Sequence, residues 1–120
     1  MYLIDSNILI YSAKPEFNYL RPLISRSNFV SVISKLEVLG FHKLSERDQV
    51  YFDACFKLLS IVHTDVVIFE RAIEVRRLYN LSLGDSLITA TALVNNFELI
   101  THNTADFKRV ASLKISNPII

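Results

Sequence analysis

Residues 81–94, LSLGDSLITATALV, carry the pattern that decides the fold. Beyond a short polar loop, a helix over this stretch would be apolar on nearly all of its sides, so it should be buried inside a layered domain. Its only charged residue, Asp85, stands at the entrance of the helix, directly after Gly84. An acid in that place is either a helix cap or a functional group, and other acids converging on it would favour function.

The composition predicts one folded domain over residues 1–120. Hydrophobic residues make up 51% of the chain and charged residues 21%, which is enough apolar side chain for a substantial core and excludes a disordered protein. The net charge of +1 provides no overall attraction to nucleic acid. Any binding of nucleic acid must therefore come from a local patch.

The first residues and the cysteine content bear on cellular location. The opening MYLIDSNILIY contains an acid and lacks the basic start and the cleavage site of a signal peptide. No apolar run is long enough to cross a membrane, and the single cysteine, Cys55, cannot form an internal disulfide. We therefore expect a cytoplasmic protein that makes no contact with a membrane.

Short apolar runs alternate with helical patterns along the chain. We predict strands at residues 2–4, 29–33, 61–63, 99–101 and 113–116. Among the predicted helices, one covers 17–25 despite Pro22, one covers 34–44 and opens at Ser34, and one is capped by Thr64. Strands separated by helices indicate an α/β fold with three layers, α/β/α, around a central parallel sheet of about five strands.

Polar side chains that could form a site follow the ends of these strands. Asp5 ends the first strand, Glu37 lies one turn beyond the second, and Asp106 follows the fourth together with Asn103. Since sites in parallel sheets form beyond the carboxyl ends of the strands, these acids and Asp85 should meet at one edge. Clustered carboxylates repel one another unless a cation or protons neutralise them. Oxygen ligands without cysteine or paired histidines favour Mg²⁺ or Mn²⁺ over zinc.

Helix capping is the alternative explanation for each acid taken alone. The stretches SKLE at 34–37 and SLGD at 82–85 both fit a capping box. Asp5 or Asn7 could cap the first helix, and Asp106 could cap the helical turn predicted at about 107–111. Capping does not predict that all the acids reach the same edge of the sheet, and a cap can also position a metal ligand.

The chain contains four motifs in a definite order and spacing: YLIDSNILIY, SVISKLEVLGFHKL, LSLGDSLITATAL and LITHNTADFKRV. This ordered set resembles the PIN-domain ribonucleases, and among them the VapC-type toxins of bacterial toxin–antitoxin pairs. The resemblance implies a parallel five-stranded sheet flanked by helices. It also implies that the family's acidic quartet, which is catalytic and holds Mg²⁺ or Mn²⁺, falls on Asp5, Glu37, Asp85 and Asp106.

Neighbouring positions refine the comparison with this family. Asn7 and Thr101 match positions that support the first acid and the edge of the site. Asn103 stands where many PIN domains have a further acid, which weighs against a second tightly held metal ion. His102 stands where these toxins often have arginine, which weakens one expected phosphate contact.

The activity implied by the resemblance is that of a metal-dependent endoribonuclease, which hydrolyses RNA phosphodiesters. A divalent cation would invert the field of the carboxylates, orient and acidify a water molecule, and stabilise charge on the phosphoryl oxygens. The substrate phosphates would need cations, for which the candidates are Lys35, Lys43, Arg76, Arg77, Lys108 and Arg109. The resemblance also implies a small antitoxin protein of the VapB type as partner, and a homodimer.

Two other functions remain open. A phosphatase of the haloacid dehalogenase type also begins with a strand that ends in an aspartate. That class needs a second aspartate two residues later, where this chain has Asn7, and it does not require Glu37. The other alternative is a catalytically silent PIN-like binding module. The complete acidic quartet argues against such a module, and a metal-binding titration separates the two.

Overall fold

Strands and helices alternate along the chain, and the computed structural model describes every residue from 1 to 120. The strands are β1 Tyr2–Ile4, β2 Phe29–Ser31, β3 Ser60–Val62, β4 Glu98–Ile100 and β5 Ile115–Ser116. The helices are α1 Ser6–Ser12, α2 Val32–Leu39, α3 Glu46–Leu58, α4 Val66–Tyr79, α5 Leu83–Asn95 and α6 Thr104–Phe107. A 3₁₀ segment, Pro15–Leu23, lies between α1 and β2.

All five strands form one parallel sheet in the order β3-β2-β1-β4-β5. β1 and β4 pair along their full length, from Tyr2 opposite Glu98 to Ile4 opposite Ile100. The chain proceeds outward from β1 to β2 and β3 on one side, and to β4 and β5 on the other. The carboxyl ends of β1 and β4 therefore flank the point where such sheets bind ligands. The predicted parallel sheet is confirmed.

Helices cover both faces of the sheet. Successive residues of a strand point to opposite faces, so an apolar strand presents side chains that must be buried on both. Leu3 and Leu99 belong to the core beneath α5 and α6. Ile4 and Ile100 belong to the core beneath α1, α2 and α3. Leu3 and Ile4 are both completely shielded from solvent, so the predicted three-layer arrangement is also confirmed.

Helix α5 is the buried helix that the sequence predicts. Ile88, Ala90 and Ala92 on it have at most 1% of their surface exposed. It begins after Ser82, whose hydroxyl caps it, and ends at Asn96, which adopts the left-handed conformation with φ 55°. Although α5 is apolar, no helix of the chain combines the length and apolar character that crossing a membrane requires.

The second strand ends earlier than predicted, and the helix after it is displaced. β2 stops at Ser31 instead of residue 33, and α2 covers Val32–Leu39 instead of 34–44. The cause is Ser31, whose hydroxyl accepts a hydrogen bond from the Ile33 backbone N–H at 3.2 Å and caps α2. This cap outweighs the β propensity of the two residues that follow it. The capping box predicted at Ser34 is therefore wrong.

Strands β3 and β4 begin one residue earlier than predicted and β5 is two residues shorter, and two helical segments differ in their cap or type. Helix α4 is capped by Asp65, whose Oδ1 accepts a hydrogen bond from the Ile68 backbone N–H at 2.9 Å, and not by Thr64. A carboxylate at that position reaches the free N–H groups of the first turn as well as a hydroxyl would. The helix predicted at 17–25 is a 3₁₀ segment broken at Phe17 (φ −111°, ψ 20°), and Pro22 lacks the N–H that an α-helix would need.

Candidate functional site

Asp5 lies between β1 and α1, at the centre of the carboxyl edge of the sheet. It is buried, with 5% of its surface exposed. Its Oδ1 accepts a hydrogen bond from the Ser6 backbone N–H at 2.8 Å and so caps α1. Its Oδ2 accepts one from the Thr101 hydroxyl at 2.7 Å. Both carboxylate oxygens are held in place, so capping of α1 and a place in the site coexist at Asp5.

Thr101 connects the loop after β4 with the start of α1. Its buried hydroxyl oxygen accepts hydrogen bonds from the Asn103 backbone N–H at 3.0 Å and from the Asn7 side-chain amide at 3.4 Å. The Asn7 carbonyl oxygen in turn accepts the His102 backbone N–H at 3.1 Å. The three residues predicted to support the site therefore contact one another next to Asp5.

Glu37 reaches the same place from α2. Its Oε1 accepts a hydrogen bond from the Ser6 hydroxyl at 2.8 Å. A Cβ placed on Gly84 would lie 3.1 Å from Glu37 Oε2, so this oxygen faces the beginning of α5. Glycine at position 84 leaves room for the carboxylate, and Glu37 thereby links α1 with α5.

Asp85 stands in the first turn of α5 and is half-buried. The Ser82 hydroxyl accepts a hydrogen bond from the Asp85 backbone N–H at 3.1 Å. The reciprocal bond of a capping box, from the Ser82 backbone N–H to the Asp85 carboxylate, is absent, so only half of the predicted box forms. The cap of α5 therefore rests on the Ser82 hydroxyl and the Asp85 backbone N–H.

Asp106 lies in the short helix α6. Its Oδ2 accepts a hydrogen bond from the Asn103 side-chain amide at 3.0 Å, and its Oδ1 lies 3.5 Å from Nη2 of Arg109. The Asp106 carboxylate accepts no backbone N–H, so the alternative that it caps a helical turn is wrong. The turn itself lies at Thr104–Phe107, earlier than the predicted 107–111.

Electrostatic repulsion couples all four acids. Burial raises the pKa of Asp5 from 3.8 to about 6 against the effect of its two hydrogen bonds, and the charges of Asp85 and Glu37 add to the rise. Partial burial also raises the pKa of Asp85, with further contributions from the charges of Asp106 and Glu37. The four side chains therefore form one interacting group of like charges, which we call the carboxylate cluster.

The carboxylate cluster is an open group of oxygen atoms. No three His, Cys, Asp or Glu side chains of the chain come close enough to enclose a metal ion. Mg²⁺ retains several water molecules and takes one or two carboxylates together with substrate phosphates. The cluster offers hard oxygen donors, and Arg109 beside Asp106 is its one ion-pair partner, so its donor chemistry fits a hydrated Mg²⁺ or Mn²⁺ ion.

The basic residues predicted to contact RNA occupy different surfaces. Arg109 pairs with Asp106, and Lys43 lines a groove that extends to Glu37. Arg76 lines a shallow depression between α4 and α5. The remaining three are simply exposed at the surface: Lys35, Arg77 and Lys108. Arg109 and Lys43 are thus the two whose positions connect them with members of the carboxylate cluster.

Ser6 shapes the site, although the sequence did not predict it. It offers its backbone N–H to Asp5 and its hydroxyl to Glu37. The run of small polar residues at 5–7 was the available signal. The partner of the hydroxyl is 31 residues distant in the chain, and local patterns do not reveal such a contact.

A family model described as PIN domain matches residues 2–113. The match therefore includes every member of the carboxylate cluster and all five strands except the last. A search of curated proteins gives no match.

Several solved structures resemble the whole chain. The toxin–antitoxin complex from Klebsiella pneumoniae contains a chain with 31% identity and a TM-score of 0.81, and the match covers 99% of this chain and 98% of that one. VapBC2 from Rickettsia felis, bound to a DNA fragment from its promoter, gives 23% identity and a TM-score of 0.80 with 97% of each chain covered. FitAcB from Neisseria gonorrhoeae gives 20% identity and a TM-score of 0.80 with 98% of each covered.

Replacing Asp5 with asparagine should change the pH dependence of stability. A raised folded-state pKa means that protonation of Asp5 stabilises the fold fully below pH 3.8, and that this stabilisation is lost as pH rises through about 6. Asparagine carries no charge at any pH. We expect the free energy of unfolding of Asp5→Asn, relative to wild type, to increase by on the order of 2 to 3 kcal/mol between pH 4 and pH 8.

Urea unfolding in the presence of EDTA measures this difference. Asp53→Asn, which removes an acid from α3 outside the site, is the matched control for the loss of one carboxylate. A difference between Asp5→Asn and wild type that does not change with pH would contradict the electrostatic strain assigned to Asp5.

Proposed function

The chain belongs to the PIN domain family, and we propose that it is a VapC-type endoribonuclease that depends on Mg²⁺ or Mn²⁺. Its substrate would be RNA, and residues 1–120 would act as one domain in the cytoplasm. The observation that carries the proposal is the convergence of four acids from distant segments at one edge of the sheet. Ser6 connects Asp5 with Glu37, Thr101 and Asn103 connect Asp5 with Asp106, and Glu37 faces Gly84, next to Asp85. A cap explanation accounts for part of Asp5 and for the contact of Asp85 with Ser82, but not for the arrival of all four acids at the same edge.

The acids of the cluster would differ in how directly and how rigidly they bind the cation. Asp5 is buried and fixed by two hydrogen bonds, so its carboxylate would serve as the rigid ligand. Asp85 and Glu37 would supply direct or water-mediated contacts from α5 and α2. A bound divalent cation supplies the charge that lowers the pKa of a water molecule and stabilises the phosphoryl oxygens.

Asp106 would act on water at the outer side of the cluster. Asn103 and Arg109 hold its two oxygens, while half of the side chain remains exposed to solvent. A carboxylate in this position can accept a proton from a water molecule or orient it toward a phosphate. Asp106 is therefore proposed as ligand or as the base that positions the attacking water.

The two alternative functions have less support. A phosphatase of the haloacid dehalogenase type requires an aspartate where Asn7 stands, and Asn7 instead bonds Thr101 and the His102 backbone. A silent binding module would not need acids placed so that the charges of Glu37 and Asp106 help to raise the pKa of Asp5 or Asp85 in a domain of marginal stability.

A small antitoxin is the proposed protein partner. The similar structure from Klebsiella pneumoniae is a toxin–antitoxin complex, and that relative is 31% identical over nearly the whole chain. An antitoxin of the VapB type would inhibit this chain by covering the carboxylate cluster. The role of the chain would then be that of the toxin in such a pair.

A second copy of the chain is the proposed partner of the outer side of α4. Val66, Val67, Phe69 and Ile73 on this helix are 41 to 75% exposed, and Leu83 beside them on α5 is 69% exposed. We call these five residues the α4 face. Contiguous apolar surface of this kind marks an interaction site. Leu83 is two residues from Asp85, so a dimer through the α4 face would bring the two carboxylate clusters near its edge.

Cleavage of RNA tests the central proposal. We expect the purified chain to cut single-stranded or structured RNA slowly with Mg²⁺ or Mn²⁺, and not with EDTA. Asp5→Asn should lower kcat by at least about 100-fold, because it removes the charge of the fixed ligand. Asp53→Asn should cleave like wild type, and circular dichroism should show all three proteins folded.

Two results of this assay would count against the proposals. Equal cleavage by Asp5→Asn and wild type would reject the assignment of the site. Undiminished cleavage after adding a VapB-type antitoxin that binds the chain would reject inhibition by that partner.

Analytical ultracentrifugation tests the dimer. Ile73→Glu should convert the protein from dimer to monomer, because a charge in an apolar interface is costly to desolvate. Val50→Glu, at a residue of α3 that is 71% exposed, introduces the same charge away from the α4 face and should leave the dimer intact. A wild-type protein that sediments as a monomer at high concentration would contradict the proposal.

A further inference from the structure

A groove of about 590 Å³ opens beside the carboxylate cluster, between the end of α1, the loop 40–44 and the start of α3. Its floor includes Val38 and Phe52, which are 2% and 4% exposed. Its walls include Ile10 and Phe41, which are 47% and 54% exposed. The groove thus combines a closed apolar base with an accessible aromatic ring, and its volume is in the range of small-ligand sites.

The loop after the early end of α2 lines this groove. α2 ends at Leu39, and residues 40–44, which the sequence predicts as helix, form a loop that contributes Phe41, Lys43 and Leu44 to the lining. Gly40 permits the stop, because a Cβ at this position would overlap the carbonyl oxygen of Leu36. The loop then carries Phe41 and Lys43 along one side of the groove.

Three cations surround the groove, and none of them has an acidic partner. Lys14, Lys43 and Arg47 line it, and no carboxylate lies within 4.0 Å of their charged nitrogen atoms. The acids in the lining are Glu37 and Asp48. Positive charge is therefore available beside an acidic cluster, which is where a polyanion entering the site would need it.

Glu37 belongs to both places. It lines the groove, and through Ser6 and its charge it belongs to the carboxylate cluster. A polynucleotide with one phosphate at the carboxylate cluster would therefore place an adjacent nucleotide at the groove.

We propose that this groove is a subsite for one base of a single-stranded RNA, next to the phosphate held at the carboxylate cluster. The Phe41 ring is the stacking surface for the base, and Lys14, Lys43 and Arg47 contact the flanking phosphates. Bases of every kind stack on aromatic side chains, and cations along a groove follow the backbone. The inference rests on the proposed ribonuclease function and adds to it the feature of the substrate that the protein recognises.

The charges favour RNA over a protein segment as the occupant. An apolar peptide would use only the apolar floor, whereas a nucleotide would use both the apolar walls and the three exposed cations, which are free to contact phosphates. The alternative occupant is an outcome of the test.

Steady-state cleavage of paired substrates tests the subsite. One RNA is intact, and matched RNAs lack the base at each position around the cleaved bond. Phe41→Ala should lower kcat/KM for intact RNA by about tenfold, mainly through KM, because one stacked base is lost. Phe41→Tyr keeps the ring and should retain near-wild-type values, and Val50→Ala on the exposed side of α3 should match wild type.

The decisive result is non-additivity. Removing one base from the RNA should lower the kcat/KM of wild type by about tenfold. It should not lower the kcat/KM of Phe41→Ala any further, since the two changes delete the same contact. Decreases in kcat/KM that add up independently, or an unchanged kcat/KM in Phe41→Ala, would overturn the subsite. Normal cleavage by Phe41→Ala combined with resistance to a VapB-type antitoxin would overturn it in favour of a protein segment.

A measurement of RNA binding without cleavage tests this inference separately from the proposed catalysis. Fluorescence anisotropy of a labelled single-stranded RNA is measured on Asp5→Asn and on Asp5→Asn with Phe41→Ala. If wild type cleaves no RNA while the double variant binds about tenfold more weakly, the catalytic proposal fails and the subsite stands. If RNA is cleaved and the two variants bind equally, the subsite fails alone.

Discussion

The hydrogen bond from the Thr101 hydroxyl to Asp5 is the contact on which the site depends. It joins residues 96 apart in the chain, across the paired strands β1 and β4, and it is buried. The parallel pairing places both residues at the same end of the sheet, and the burial of Leu3 and Ile4 on opposite faces fixes that pairing. The core of the fold therefore determines the orientation of one carboxylate, and the loops and helices add the other three around it.

This arrangement stores electrostatic strain where the function is proposed. Asp5 is deprived of water and faces the charges of Asp85 and Glu37, which together raise its pKa to about 6. A fold selected only for stability would not retain such a group, because each carboxylate could be an amide of the same shape. Under the proposed function, a bound cation would relieve this strain, so the repulsion in the metal-free protein would contribute to the affinity for the metal.

Sequence patterns predict the parts of the fold that depend on repeated or ordered features. Leu3 and Ile4 lie in an apolar run that indicates a strand covered on both faces. The four acids occur in the order of a known family, with Asp85 at the start of a helix and the other three after strands. Sequence patterns give the wrong helix boundary where a single contact determines it. The Ser31 cap draws two β-branched residues into α2, and Gly40 ends that helix. The loop that follows this early end lines the groove beside Phe41, and periodicity could not have predicted that loop.

The free energy of unfolding of Asp85→Asn, with and without Mg²⁺, tests most directly whether the four acids form a cation site. Asparagine keeps the backbone N–H that Ser82 accepts and removes one charge. Without metal, the variant should be at least as stable as wild type. Mg²⁺ at about ten times its Kd should stabilise wild type by about 1.4 kcal/mol, a Tm increase of roughly 3 to 6 °C, and the variant much less. A variant clearly less stable than wild type without metal, with no effect of Mg²⁺ on either protein, would contradict the account.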